Sequence, residues 1–122
     1  MKIGTDIVQI SRIENSLAKF GIRFKERLLN PNERDQSRSI ESLAGVWAAK
    51  EAIAKALGCG IGKELAFCDI IISKDAKGAP YFELTPQAQK IHQITQSSLS
   101  ISHDGGFAIA VVALTTQTKG TL

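Results

Sequence analysis

The chain has 122 residues, 43% of them apolar and 22% charged, with a formal net charge of +3. That length suits one domain with a modest core, and the composition excludes an intrinsically disordered chain. The longest apolar run, FAIAVVAL at 107–114, is too short to cross a bilayer. Charged or polar residues from Lys2 onward leave no signal-peptide core, so a cytoplasmic protein is expected. The mild basic excess admits an acidic partner without choosing between nucleic acid and protein.

Lys2 to Val8 reads as a strand whose alternation puts Gly4, Asp6 and Val8 on one face. Ser11-Arg12-Ile13-Glu14 fits a capping box, opening a helix with Ile13, Leu17 and Phe20 at helical spacing and Gly21 as its stop. A short helical turn is expected over Phe24 to Leu29, closed by Asn30-Pro31. The strongest helix signal runs from about Ile40 to Leu57, rich in alanine and ended by Gly58, and a flexible loop, GCGIG at 58–62, follows. FCDIIIS (67–73) and PYFELT (80–85) predict a hairpin. Thr85-Pro86 marks a further helix start, with the helix running to about Thr95. SLSIS (98–102) and FAIAVVAL flank the turn HDGG. The order β-α-α-β-β-α-β-β, without a βαβ repeat, predicts a single α+β domain over 1–122. Its sheet is mainly antiparallel, with hairpins packed against the long central helix. The polar tail from Thr115 to Leu122 has no assigned function.

Several features bear on chemistry. In WAAKEAIAK (47–55), Glu51 and Lys55 lie four apart on one helix face. The plain reading is a solvated salt bridge; the alternative is a carboxylate for a metal and an ammonium for a phosphate. Asp6 is a poor strand residue. It reads either as a turn or cap residue or as a second carboxylate, with Gly4 letting a helix or ligand approach. The glycines of GCGIG can present N–H groups to phosphate or can simply end a helix, and Lys63 adds a charge nearby. His103 sits at a turn, where a surface role is the plain reading, and His92 reads as surface. Arg12 and Lys19, seven apart, lie on one face of the first helix, with Arg23, Lys25 and Arg27 beyond. Such a face can dock an acidic helix; one Trp and one Tyr provide little for stacking bases. Cys59 and Cys68 are expected as free thiols, and neither has a further Cys or His at a zinc spacing.

These motifs resemble a known family. GTDIV (4–8), FKERLLNPNE (24–33), LAGVWAAKEAIAKALGCGIG (43–62), LAFCDIII (65–72), KGAPYFEL (77–84) and LSISHDGGFAIAVV (99–112) are similar to the holo-[acyl-carrier-protein] synthases. These are the short, single-domain 4′-phosphopantetheinyl transferases. The resemblance spans Met1 to about Ala113. It implies transfer of phosphopantetheine from coenzyme A to a serine of apo acyl carrier protein, for fatty acid synthesis. Asp6 and Glu51 would then match the magnesium ligands, with manganese as a substitute, and Glu51 would also serve as base. Lys55, Gly58, Gly60, Ile61, Gly62 and His103 would match the coenzyme A site, and Arg12, Lys19, Arg23 and Arg27 the carrier-docking surface. The family forms trimers with sites between subunits. One departure stands out: many relatives have G-R-F-A-A-K-E where this chain has Gly45-Val46-Trp47. The arginine near the 3′-phosphate of coenzyme A is therefore missing, and the contact falls to Lys63 or His103. Outside the family, the alternatives are a magnesium-dependent phosphate-ester hydrolase and a basic nucleic-acid-binding module. An intact Asp6/Glu51/Lys55 set weighs against the second, and neither nucleic acid nor membrane is an expected partner.

Overall fold

The computed structural model describes residues 1–34 and 38–117. It is an α+β fold built around one long helix, which packs against the larger sheet and the first helix. That helix, α4 (Ile40–Ala56), follows strand β1 (Lys2–Gln9) and helices α1 (Ile10–Phe20), α2 (Ile22–Leu28) and α3 (Pro31–Arg34). After it come a 3₁₀ turn (Phe67–Asp69), strands β2 (Ile70–Lys74) and β3 (Pro80–Leu84) and helix α5 (Pro86–His92). Strands β4 (Ile94–Asp104) and β5 (Phe107–Thr116) complete the chain. The strands form two antiparallel sheets, β1-β5-β4 and β2-β3. No helix among the described residues is long and apolar enough to cross a membrane.

Ser39 caps α4 by accepting the Ser42 N–H at 3.1 Å. Ala44, Ala48, Ala49 and Ala52 are fully buried, and such small side chains let other backbones come close. The closest approach is at Gly4, where a Cβ would collide with the Ala52 carbonyl and lie 2.9 Å from the Ala56 nitrogen. The inner face of the three-stranded sheet supplies Val8, Leu99, Ala108, Ala110, Val112 and Leu114 to the core around α4. Its outer face leaves Ile3, Ile7, Phe107, Ile109 and Val111 exposed.

The core also holds an ion pair. Lys50 and Glu33 are both 0% exposed and 2.7 Å apart. Lys50 Nζ also donates to the carbonyls of Leu28 at 2.7 Å and Phe67 at 3.0 Å, so each of its three protons has an acceptor. Glu33 accepts the N–H groups of Asn30 and Ile72, both at 2.8 Å. One buried pair thereby ties α2, α3, α4, the 3₁₀ turn and β2 together. Burial lowers the Lys50 pKa, with the Glu33 carboxylate opposing that shift. The sequence reading left Lys50 without a role.

Several expected boundaries move. No capping box forms at Ser11: α1 starts at Ile10, with Gln9 as its cap position and no side-chain cap. The Ile10 N–H is bonded to the Gly106 carbonyl at 2.9 Å, so the β4–β5 turn satisfies the first free N–H of the helix. The strand expected from Phe67 starts at Ile70, because Asp69 accepts the Ala66 N–H at 2.9 Å and closes a turn. Helix α5 ends at His92 rather than Thr95, and β4 begins at Ile94 rather than Ser98. Thr85 occupies the cap position of α5 without a side-chain cap bond. Thr115 and Thr116 extend β5 and are not tail; residues 118–122 lie outside the described residues. His92 is not a surface group: its side chain is 7% exposed. Both cysteines are free thiols, as expected.

Removing one member of a buried ion pair strands the other, at a cost of about 3–5 kcal/mol. Glu33→Ala is therefore expected to lower the free energy of urea unfolding by about that amount. A loss below about 1 kcal/mol, the scale of an exposed pair, would contradict this account of the core.

Candidate active site

Trp47, Glu51 and Lys55 recur every four residues and so form one stripe along α4. Asp6 reaches the same place from β1, on the strand face that also carries Gly4 and Val8. Lys55 does not close the solvated pair with Glu51 that its spacing suggests. Its Nζ crosses to β1, donating to Asp6 Oδ1 at 2.8 Å and to the Thr5 carbonyl at 3.3 Å. The Asp6 side chain is 14% exposed and that of Lys55 is 53% exposed. The cation is thus anchored at one end and open to solvent along its length.

Glu51 is half-buried. Burial raises its pKa, the Asp6 carboxylate raises it further, and Lys55, Arg12 and Arg27 oppose the shift. Two carboxylates and three cations from β1, α1, α2 and α4 therefore share one field. The shift reflects first the loss of hydration at Glu51 and then the neighbouring Asp6 charge, which the three cations do not fully offset. Two hard oxygen donors with uncompensated charge fit a magnesium ion, which commonly takes one or two carboxylates and leaves other positions for phosphate and water.

Beside this pair lies an aromatic shelf that the sequence reading did not find. Trp47 stacks on Phe24 at 6.0 Å between ring centroids and meets Phe67 at 4.7 Å. The Arg12 guanidinium lies 5.5 Å over Trp47, and that of Arg27 lies 5.8 Å over Phe67. Both arginines are exposed residues held in place by ring faces. Lys19 lies farther along α1, over Phe20 and in a cleft shared with Arg12 and Ser16. Arg23 is exposed on α2.

The glycine loop has a defined start. Gly58 takes a left-handed φ of 80°, its N–H bonds to the Lys55 carbonyl at 3.0 Å, and the Cys59 N–H bonds to the Ala54 carbonyl at 3.2 Å. This is a Schellman end to α4. Gly60 has φ 65° and donates to the same Ala54 carbonyl. Ile61 packs against the core, the Gly62 N–H bonds to the Leu65 carbonyl at 2.9 Å, and Lys63 is exposed. His103 is not brought to Asp6 or Glu51 within the chain. It lines a separate cleft with Ser11, Glu14, Glu41 and the Asp104–Phe107 turn. Val46, where relatives are expected to have arginine, is 3% exposed and belongs to the core.

A family model described as the 4′-phosphopantetheinyl transferase superfamily matches residues 2–112. The chain belongs to that superfamily. The transferase is 59% identical over 114 residues to a holo-[acyl-carrier-protein] synthase of Sulfurovum sp., covering 93% of this chain and 96% of the relative. It is 51% identical to that of Campylobacter jejuni, covering 93% and 99%. Among solved structures, the Helicobacter pylori holo-[acyl-carrier-protein] synthase in complex with coenzyme A superposes with a TM-score of 0.84 at 49% identity, covering 93% of this chain and 99% of that one. The Neisseria meningitidis synthase gives 0.85 at 37% identity, covering 94% and 98%.

The raised Glu51 pKa has a stability consequence. The native state binds this proton more tightly than the unfolded chain does. Stability is therefore lost as pH rises from the ordinary carboxylate value of 4.5 through the native one. In EDTA at pH 7, Glu51→Gln is expected to melt above the wild type, with the gap closing as pH falls below about 4.5. A lower melting temperature for Glu51→Gln at pH 7 would mean that Lys55, Arg12 and Arg27 over-compensate its charge.

Proposed function

We propose that this transferase moves 4′-phosphopantetheine from coenzyme A to a serine of apo acyl carrier protein. It thereby releases adenosine 3′,5′-bisphosphate and prepares the carrier for fatty acid synthesis in the cytoplasm. The observation that carries the reading is the convergence of Asp6, Glu51 and Lys55 across the β1–α4 contact. The names of the relatives, and the coenzyme A held by the H. pylori protein, agree with it.

Phosphoryl transfer asks a protein mainly for positioning and for neutralising charge. Lys55, open to solvent but tethered at Asp6, is placed to exchange part of that ion pair for the coenzyme A pyrophosphate. The Gly58–Gly62 loop lies one turn beyond it, but the N–H groups of Gly58, Cys59, Gly60 and Gly62 are bonded to carbonyls within the chain and so are not the free phosphate donors that the glycines suggest. Asp6 and Glu51 would hold magnesium, which when bound neutralises and polarises the pyrophosphate; manganese would substitute. Glu51 also takes the proton of the carrier serine. The serine oxygen bonds to the phosphorus that bears pantetheine as the bond from that phosphorus to the bisphosphate oxygen breaks. Arg12, Lys19, Arg23 and Arg27 present the cationic surface for an acidic carrier helix, beside the reacting groups.

The exposed apolar residues of β1 and β5, Ile3, Ile7, Phe107, Ile109 and Val111, form the face we assign to self-association as a homotrimer. Contiguous apolar surface of this kind marks interfaces. A neighbouring copy would bring its own His103 to each site, which accounts for the distance between His103 and Glu51 within one chain. His103 and Lys63 then remain to meet the 3′-phosphate in place of the arginine absent at Val46.

Intact-mass spectrometry tests the reading. Apo acyl carrier protein incubated with the protein, coenzyme A and magnesium should gain one phosphopantetheinyl group. That gain should vanish with EDTA and fall at least ~100-fold for Glu51→Gln, the combined effect expected for a base and metal ligand. Light scattering should give three times the 13.2 kDa chain. An unmodified cognate carrier would overturn the assignment, and cleavage of coenzyme A without transfer would favour the hydrolase.

A further inference from the structure

Cys59, Glu64 and His92 come from two separate segments, the loop after α4 and the last residue of α5. Their ligand atoms, a sulfur, a carboxylate oxygen and an imidazole nitrogen, all lie within 4.8 Å of one another. The His92 side chain is 7% exposed, and its Nε2 is fully shielded with no hydrogen-bond partner among the described residues. A buried imidazole nitrogen without a partner is costly and rare. The atom facing it is Glu64 Oε2 at 3.7 Å, beyond hydrogen-bonding range. The Cys59 thiol has a long contact to the Ala54 carbonyl, at 3.8 Å, and a side-chain hydrogen bond with the Glu64 carboxylate. Burial and the Glu64 carboxylate raise the thiol's pKa, so a nearby cation is what would make it a thiolate.

We propose that Cys59, Glu64 and His92 form a second metal site, distinct from the magnesium carboxylates, for a borderline-soft divalent cation of the zinc class. The donor set selects the ion: thiolate and imidazole suit zinc, whereas magnesium and calcium prefer oxygen alone. Tetrahedral zinc at ordinary bond lengths needs its nitrogen and oxygen ligands about 3.4 Å apart, close to the 3.7 Å seen here. Glu64 has a 57% exposed side chain on a loop, so its carboxylate can adjust to an ion. Three protein ligands leave a fourth position for water. The Schellman end of α4 aims Cys59 at this point by fixing the backbone of Gly58 and Cys59. A bound ion would pin the loop from Gly58 to Leu65 to the end of α5.

Cobalt is the probe, because a thiolate ligand gives it a charge-transfer absorption in the near ultraviolet that oxygen ligands do not. Metal-free, reduced full-length protein titrated with Co²⁺ should develop that band to saturation at one ion per chain, and Zn²⁺ should bleach it. Asp6→Asn and Cys68→Ser should retain the band; Cys59→Ser should abolish it, and Glu64→Gln and His92→Gln should weaken cobalt binding at least tenfold. Glu64 is exposed, so its variant keeps the test independent of any folding defect at His92. Folded wild-type protein that shows no band would overturn the proposal. So would a band with unchanged affinity in folded Glu64→Gln and His92→Gln.

Discussion

Everything at the site depends on how closely α4 approaches β1. Gly4 has no side chain, so the backbone of α4 at Ala52 and Ala56 sits directly on the strand. Adding even a methyl group to a packed core costs about 1–3 kcal/mol, and here the obstruction would be backbone, which cannot rotate away. The same strand face carries Asp6 two residues on, and the same helix carries Glu51 and Lys55. A single close contact therefore sets the distance across which Lys55 meets Asp6 at 2.8 Å and Glu51 feels the Asp6 charge. This explains an aspartate in a strand, where it is otherwise disfavoured.

Neighbouring residues on α4 serve opposite ends. Lys50 points inward and spends its charge on Glu33 and two carbonyls, and the pair together joins five elements behind the site. Glu51, the next residue, points to the site and carries charge that its surroundings leave partly uncompensated. The buried pair satisfies every proton of Lys50; in front, Lys55 stays open to solvent and Glu51 half-buried. Rigidity behind α4 and incomplete neutralisation in front of it are complementary. The aromatic shelf of Phe24, Trp47 and Phe67 bridges the two, packed against the core on one side and supporting Arg12 and Arg27 on the other.

Much of this was legible in the chain because it is local. The alanine-rich period of α4, its glycine stop, the two hairpins and the shared face of Gly4 and Asp6 all follow from spacing. The misread features depend on partners distant in sequence. The Ser11 capping box fails because the helix already begins at Ile10, whose N–H is held by the Gly106 carbonyl nearly a hundred residues away, so Ser11 lies inside it. Lys50 meets Glu33 across 17 residues, a separation no helical period announces. His92 looked like surface because α5 is polar, yet the loop after α4 covers it and turns it toward Cys59 and Glu64. His103 reads as a site residue only through the family resemblance, since within one chain it lines another cleft.

The proposed mechanism requires Asp6 and Glu51 to hold a hard divalent cation jointly, beside phosphate and Lys55. Crystals grown with coenzyme A and Mn²⁺, measured at the manganese absorption edge, test it most directly. The account predicts an anomalous peak between the Asp6 and Glu51 carboxylates, with Lys55 turned toward the pyrophosphate. Bound coenzyme A with no peak there, and Lys55 still paired with Asp6, would contradict it.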